Sequence, residues 1–285
     1  MNWTADKENE LRQSWEIHGG NIRAVAKAMG LSHGSISGKS RMLGLNFHPQ
    51  GAKTSLRPDH PAVVEAHSLF PNRLRAPEPG MLKSGANQRK LGSVVTKGAW
   101  RGMPAYSLSL EERATCPRSC EAYLSCYGNG MSFALRYGHG RVLIPTLRTE
   151  LTRLQLQHPG GFVVRLHVLG DFHSVPYVDF WADALDRYPG LRVFGYTAWQ
   201  WTGPDRHPIG ERVAAVRDWA WERFAIRTSG AKSGPRTLIV DSHEEAQRQG
   251  AIVCPAQWQQ GRQCASCGLC WASAAKSRPV AFLRH

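Results

Sequence analysis

The chain has 285 residues, of which 42% are hydrophobic, and its formal net charge is +14. A chain of this length can bury one full core and a second small one. No apolar run approaches the roughly 18 residues of a membrane-spanning helix, and the opening residues, MNWTADKENE, lack the apolar stretch of a secretory signal. We therefore expect a cytoplasmic protein whose thiols are reduced or bind metal. The basic excess favours nucleic acid as a partner over a basic surface that binds nothing.

The first 48 residues have the pattern of three short helices. Thr4, Asn21 and Ser32 are candidate N-caps, and glycine follows each apolar-periodic stretch. Helix, glycine-containing turn and helix form the helix-turn-helix plan, which predicts a small all-α domain that binds double-stranded DNA. Its third helix would enter the major groove, where cations meet phosphates and short side chains meet base edges. The candidate DNA contacts are Ser32, His33, Ser35, Lys39 and Arg41. A purely structural helical bundle is the alternative.

Residues 49–100 have the composition of a basic linker. Six of the 17 prolines lie between residues 49 and 79, and the segment has eight basic and three acidic residues. Periodic apolar positions are few, so we expect a semi-extended tether with one short helical turn in residues 61–70.

From about residue 101 onward, short apolar stretches alternate with longer amphipathic ones. The strand-like stretches are MPAYSLSL, FVVRLHVLG, LRVFGYTA, RFAIRTSG, RTLIVDS and GAIVCPA. Helix-like stretches lie between most of them, and this alternation is typical of a parallel sheet with crossover helices. The six units predict an α/β fold, a partial (β/α)6 barrel over residues 101–250, followed by a cysteine-rich segment over residues 251–285. An open doubly wound sheet is the alternative.

All seven cysteines fall into two groups, and an odd number in two groups argues against a disulfide framework. Cys116, Cys120 and Cys126 lie on the loop after the first predicted strand. In β/α folds the chemistry takes place beyond the carboxyl ends of the strands. Three thiolates can hold three irons of a [4Fe–4S] cluster and leave the fourth iron open, as a catalytic site needs.

The second group is Cys254, Cys264, Cys267 and Cys270, which is the C-x2-C-x2-C tripod of ferredoxin-type clusters with one remote thiolate. Four thiolates would close this site, so that it is structural or relays electrons. Zinc is the alternative metal, although zinc sites more often use two separate C-x2-C pairs. Since Cys254 ends the last predicted strand, it is also a candidate fourth ligand of the first group, which would leave the other three as the open site.

Alternation along VVRLHVLGD separates the two faces of the second predicted strand. A barrel strand is apolar where it faces helices, so Arg165 and His167 would point into the barrel, and Arg227 would do so on a later strand. Such residues predict a site for an anionic ligand such as phosphate or carboxylate. A buried ion pair or a half-exposed strand is the alternative. His173 and Asp241, at strand ends, are weaker candidates.

Residues 101–285 resemble a phage iron–sulfur family related to the radical S-adenosylmethionine (SAM) superfamily. The resemblance rests on CPRSC…CYG, VVRLHVLGDFHSVPYVDFW, FGYTAW, FAIRTSG, CPAQ…CASCGLCW and VAFLRH. It implies a barrel of the radical-SAM type with bound SAM, where Gly170 allows close backbone approach and Asp171 accepts hydrogen bonds from the SAM amine. The superfamily usually spaces its loop cysteines C-x3-C-x2-C, whereas this chain has C-x3-C-x5-C.

The stretches NWTADKENELRQSW and AVAKAMGLSHGSISGKSRMLGL resemble the GcrA-like DNA-binding domain of alphaproteobacteria and their phages, over residues 1–46. Two functions are implied. The first is a radical SAM enzyme that acts on DNA or a nucleotide and takes its electron from a separate donor. The second is an iron–sulfur DNA-binding transcriptional regulator or redox sensor without SAM chemistry.

Overall fold

A computed structural model describes residues 3–18, 21–43, 45, 55–259 and 261–284, without the side chain of Arg41. The chain divides into two compact units on either side of the bond between residues 52 and 53. Each unit is described by itself.

The described residues of the first unit form α1 (Ala5–Ile17), α2 (Ile22–Ala28) and α3 (His33–Met42). The predicted caps are present. The Thr4 side chain accepts from the amide of Lys7, and Asn21 and Ser32 accept from amides in the first turns of α2 and α3. The core of this unit lies between the three helices and consists of Leu11, Trp15, Val25, Ala26 and Ile36.

The second unit contains two sheets. Their strands are β1 (Leu74–Arg75), β2 (Lys83–Ser84), β3 (Ala105–Ser107), β4 (Arg136–Tyr137), β5 (Phe162–Leu166), β6 (Leu191–Thr197), β7 (Phe224–Ser229), β8 (Arg236–Val240), β9 (Ile252–Val253) and β10 (Val280–Leu283). The helices are α4 (Pro61–Val64), α5 (Leu143–Gln157), α6 (Val175–Arg187), α7 (Pro208–Ala220), α8 (His243–Arg248), α9 (Pro255–Trp258) and α10 (Cys264–Cys267).

The main sheet has eight strands in the order β2-β3-β5-β6-β7-β8-β10-β9, and the other sheet pairs β1 with β4. All main-sheet pairs are parallel except β2 with β3. From β3 to β8 the order follows the sequence without the reversal of a doubly wound sheet. Right-handed crossovers that all step in one direction leave their helices on one face. The fold is therefore mixed α/β with a mostly parallel sheet.

The two faces of the main sheet are covered differently. Phe162, Val164 and Leu166 of β5 pack with α6 residues such as Trp181. On the other face, Val163 and its neighbours pack against the cysteine-rich carboxyl-terminal segment. There the Trp271 ring lies 4.5 Å from Phe194 of β6 and stacks at 4.9 Å on Trp100. The cysteine-rich segment is thus a layer of the fold.

The predicted linker is wrong for residues 55–100, and its residues 49–54 lie outside the described part of the chain. Residues of this segment are buried in the second unit, among them Met81, Leu91 and Trp100, and β2 pairs with β3. Pro61 occupies the first turn of α4, where a missing amide hydrogen costs nothing. Proline content therefore marks helix starts and turns in a packed segment. Across the described residues, no helix is both long and apolar enough to cross a membrane.

Candidate metal centres

Four thiols of the carboxyl-terminal segment line one pocket, here called the four-thiol site. The pocket is lined by Cys254, Cys264, Cys267 and Cys270 with Pro255, Ala256, Gly268, Leu269 and Trp271. Cys254 directly follows β9, and the other three lie in or just after α10. The structure therefore brings Cys254 to the C-x2-C-x2-C tripod and away from the alternative grouping with the first loop.

Local contacts set the path of this tripod. α10 begins at a capping box between Gln263 and Ser266 and ends at Gly268, whose φ of +72° is the left-handed conformation that favours glycine. The amide of Cys264 donates to the Lys90 carbonyl at 2.8 Å, which fastens the tripod to a segment distant in sequence. The left-handed turn redirects the chain after α10, so that Cys270 lines the same pocket.

Burial favours the protonated form of three of these thiols, Cys254, Cys264 and Cys270. Burial raises the pKa of Cys254 to about 11 and that of Cys270 to about 12, and the neighbouring thiols add to the effect. Burial also raises the pKa of Cys264. Since metals bind the thiolate, loading this site releases protons.

Two cations face the four-thiol site. Arg165 of β5 lies within electrostatic range of Cys264 and Cys270, on the face of the sheet predicted for it, and its Nε is buried without a hydrogen-bond partner. Lys90 is within range of Cys254 and Cys264. Both side chains are therefore placed to compensate negative charge on the thiols.

Arg227 of β7 also contacts this segment, but the predicted role in binding an anionic ligand is wrong. Its guanidinium is fully buried and donates to the carbonyl oxygens of Cys270 at 3.0 Å, Ala275 at 2.7 Å and Arg278 at 2.9 Å. Its guanidinium N–H groups are already bonded to backbone carbonyl oxygens, so Arg227 holds the cysteine-rich segment against the sheet.

Cys116, Cys120 and Cys126 form a second group, here called the three-thiol site, on the loop that follows β3. All three are partly buried, and the first two pack against a cluster that includes Val63 and Tyr123. Burial raises the pKa of Cys116 well above its usual value, and Asp171 and the other two thiols raise it further. Burial likewise raises the pKa of Cys120 to about 12 and that of Cys126.

A buried ion pair holds this loop. Arg136 and Glu112 are both fully buried, and the guanidinium donates to the carboxylate at 2.8 and 3.2 Å. Arg136 also donates to the carbonyl oxygens of Gly128, Met131 and Ala134. The backbone around Cys126 is thereby fixed without any bound group.

Arg113, three residues before Cys116, has unused hydrogen-bond donors. Its side chain is buried and donates from Nη2 to the Asn129 side chain, while Nε and Nη1 are buried without partners. Its charge lies within range of Cys126 and lowers the pKa of that thiol against the larger effect of burial. A buried cation beside thiols is an arrangement suited to thiolates.

The four thiols line one pocket, but their sulfurs do not converge on a single metal position. Within the described ranges, no three Cys, His, Asp or Glu side chains are grouped as ligands of a single metal ion.

Gly170 and Asp171 are engaged within the protein. At Gly170, where φ is +81°, a Cβ would lie 2.7 Å from Thr115 Oγ1 and 2.8 Å from the Leu110 Cβ. The close approach predicted for a ligand is therefore made by the chain itself. Asp171 is buried, and its two carboxylate oxygens accept from the amides of Phe172 and Ala198, both at 2.7 Å. It joins the ends of β5 and β6.

His167 does not share the face of Arg165, contrary to the prediction that both point into the barrel. Its Nε2 lies 3.1 Å from the Tyr177 hydroxyl of α6, and its ring packs edge-on against Phe172, which belongs to the helix-side core. β5 ends at Leu166, so the strand alternation that predicted the direction of the His167 side chain does not extend to this residue. His173 stacks on Tyr177 at 4.5 Å. The exposed Asp241 pairs with Arg284.

The candidate DNA contacts of α3 divide into two sets. Ser32 and His33 are exposed and Ser35 is partly buried, whereas the side chain of Arg41 lies outside the described residues. Lys39 pairs with Glu8 of α1 and lies over the Trp3 ring, and its side chain is 12% exposed. Lys39 is thus engaged within the first unit at a position that flanks the buried face of α3, and its phosphate contact stays a prediction.

Three residues near the thiols escaped the sequence analysis: Lys90, Arg113 and Tyr196. The Tyr196 hydroxyl lies 3.0 Å from Cys270 Sγ. Its position two residues after Phe194 on the same strand is the signal that places it on the thiol face. Lys90 lay in the supposed linker and Arg113 in an irregular loop.

Comparisons with protein-family models, with curated proteins and with solved structures found no match to this chain.

Proposed function

We propose that the chain is an iron–sulfur protein with two [4Fe–4S] centres. Cys254, Cys264, Cys267 and Cys270 bind one cluster through four thiolates. The loop thiols Cys116, Cys120 and Cys126 bind the other and leave one iron open to an added ligand.

The observation that carries this proposal is the set of thiols around one pocket with unpaired cations beside them. No carboxylate pairs with Lys90 or Arg165 in the described part of the chain. Burying cations without a counter-charge is costly, and a thiolate-bound cluster supplies negative charge next to them.

The arrangement of the thiols around the pocket favours a cluster over zinc. One zinc ion needs all four sulfurs at about 2.3 Å from a single point, whereas a four-iron cluster takes each thiolate on a different iron and fills a larger space. Among the described residues the four thiols border one pocket and are not grouped around a single point, which suits the second arrangement.

We further propose a partial (β/α)6 barrel of the radical-SAM type, in which the three-thiol site binds SAM for chemistry on DNA or a nucleotide. The sequential parallel order from β3 to β8 and the position of the cysteine loop after β3 support it. The chemistry supplied by such a cluster with SAM is one-electron reductive cleavage followed by hydrogen abstraction from a substrate. Residues 1–48 bind double-stranded DNA as a helix-turn-helix domain, in the cytoplasm, and a separate protein donates the electron.

A regulator without turnover is the second candidate. It is favoured by the packing of Gly170 and Asp171 within the chain, since these residues were expected beside the SAM amine. In this function the clusters report redox state and alter DNA affinity.

The test begins with anaerobically purified full-length protein. About four irons and four sulfides are expected for each occupied site, and zinc without iron would refute the iron–sulfur proposal. Adding SAM to the reduced protein should change the electron paramagnetic resonance spectrum and yield 5′-deoxyadenosine. Changing Cys116, Cys120 and Cys126 to Ser should remove one cluster and that response. The matched change of Cys264, Cys267 and Cys270 should remove the other cluster only. A spectrum that SAM leaves unchanged would favour the regulator.

A further inference from the structure

Tyr196 places a hydroxyl group against one thiol of the four-thiol site. It lies on β6, partly buried, with its oxygen 3.0 Å from Cys270 Sγ. Phe282 of β10 meets the tyrosine ring edge-on at 5.3 Å between centroids. The phenol is thus held by packing in the orientation that makes this contact.

The sulfur is fixed from its own side as well. Arg227 donates to the Cys270 carbonyl at 3.0 Å, and the next residue, Trp271, packs against Phe194 of the strand that carries Tyr196. Both partners of the contact are therefore anchored to the sheet, and the distance between them does not depend on a surface side chain.

The direction of this hydrogen bond follows from the chemistry of a metal-bound cysteine. In the free protein either the thiol or the hydroxyl can be the donor. A coordinated thiolate has no proton and can only accept. A phenol keeps its proton at neutral pH, because its ordinary pKa is about 10. Tyr196 must then donate to Cys270.

We propose that Tyr196 is a positioning residue that raises the reduction potential of the cluster in the four-thiol site by donating a hydrogen bond to the Cys270 sulfur. The inference rests on the iron–sulfur function proposed above. The reduced cluster carries one more negative charge than the oxidised one, so a donor to its sulfur ligand stabilises the reduced state more. The structure thereby assigns a way of tuning this centre to β6, outside the cysteine motif.

The experiment compares Tyr196→Phe with the wild-type full-length protein. Cys116, Cys120 and Cys126 are changed to Ser in both, so that only the four-thiol cluster contributes. Phenylalanine keeps the ring that packs on Phe282 and removes the hydroxyl. A redox titration followed by electron paramagnetic resonance should give a more negative midpoint potential at unchanged iron and sulfide content. Tyr106→Phe is the matched control. Its hydroxyl, on β3, bonds His158 Nε2 at 2.8 Å, so its loss should leave the potential unchanged.

A second measurement detects the hydrogen bond itself rather than its effect on the potential. In the wild-type background, the hyperfine coupling of an exchangeable hydrogen near the cluster should change on transfer to D2O. The same coupling should be lost in Tyr196→Phe and kept in Tyr106→Phe. Equal potentials in the two variants, or a coupling that survives the loss of the hydroxyl, would overturn the inference and leave the iron–sulfur function standing. Zinc or no metal at these four thiols would overturn both.

Discussion

Asp171 is a buried side chain whose ionised form is disfavoured in the folded protein. Burial raises its pKa to about 7, although the amides of Ala198 and Phe172 and the Thr197 hydroxyl act to lower it. In an unfolded chain the same group titrates near 3.8. Between these values the folded state binds the proton more tightly, so the free energy of unfolding falls as the pH rises through this window. The buried Asp171 side chain, which accepts from two backbone amides, therefore lowers the free energy of unfolding at neutral pH relative to acidic pH.

Asp171→Asn should remove this pH dependence. The window from 3.8 to about 7 corresponds to at most about 4 kcal/mol of unfolding free energy. The difference in unfolding free energy between the wild-type protein and the variant should be largest at pH 4 and smallest at pH 7.5. Urea unfolding at each pH measures this difference. The variant also loses about 1–3 kcal/mol at every pH, because one carboxylate oxygen becomes an amide donor facing an amide hydrogen.

Asp241→Asn is the control for this comparison. Asp241 is exposed, and its side chain pairs with Arg284 at the surface, so its loss should leave the slope between pH 4 and pH 7 as it is. A difference between wild type and Asp171→Asn that does not vary with pH would contradict the assignment of the slope to Asp171.

At the scale of elements, the geometry of the four-thiol site depends on how α10 ends. Gly268 has φ of +72°, and a Cβ there would make only ordinary contacts with the Trp271 ring. Gly268→Ala therefore introduces backbone strain without a steric clash, at roughly 1–2 kcal/mol. The chain relieves this strain by changing the direction in which it leaves α10, which moves Cys270 relative to Cys264 and Cys267.

If the four-thiol site holds the proposed cluster, we expect Gly268→Ala to lower its iron content and to speed cluster loss during exposure to a chelator, followed by absorbance. Gly250→Ala is the matched control. Gly250 also has a positive φ, +63°, and open space around its Cβ position, but it ends α8. Both variants should lose similar unfolding free energy. Equal rates of cluster loss would show that the end of α10 does not position Cys270.

The elements that sequence reasoning found are the long periodic ones. α5, α6 and the strands β5 to β8 lie within the predicted stretches, and α7 overlaps its stretch but begins three residues before it, since alternation and amphipathic spacing extend over many residues there. β2 and β10 were missed, because two and four residues are too few to show a period. Their pairing is decided by contacts distant in sequence. His167 was misplaced because β5 ends at Leu166, whereas the predicted strand continued to residue 170.

For the candidate site, spacing predicted the two groups of thiols but not their surroundings. The C-x2-C-x2-C tripod is local, whereas the addition of Cys254 depends on β9 and β10 being neighbours in the sheet. The cations that face the four-thiol site come from two separate segments, around residues 90 and 165. No local pattern could link these segments before the fold was known.

At the scale of the whole molecule, the segment from residue 55 to residue 100 belongs to the body that carries the thiols. The carbonyl oxygens of Lys90 and Leu91 accept from the amides of Cys264 and Ala265 at 2.8 and 2.9 Å. Trp100 stacks on Trp271 and donates from its indole nitrogen to the Glu222 carbonyl at 3.1 Å. The four-thiol site is thus built on chain that precedes the predicted barrel.

This arrangement predicts different outcomes for two shortened chains, residues 53–285 and residues 101–285. The first keeps the whole second unit, so it should unfold cooperatively in urea and keep the iron content of the full-length protein. The second loses β2 from the edge of the sheet, Leu91 and Trp100 from the core, and the two carbonyl oxygens that hold the start of α10. It should bind little iron at the four-thiol site and unfold with a smaller dependence on urea, because less buried surface remains to be exposed. The opposite outcome is that residues 101–285 alone hold both clusters and unfold as sharply as residues 53–285. In that case residues 55–100 would act as a linker, as predicted, and the contacts of Lys90 and Trp100 would not be needed for the four-thiol site.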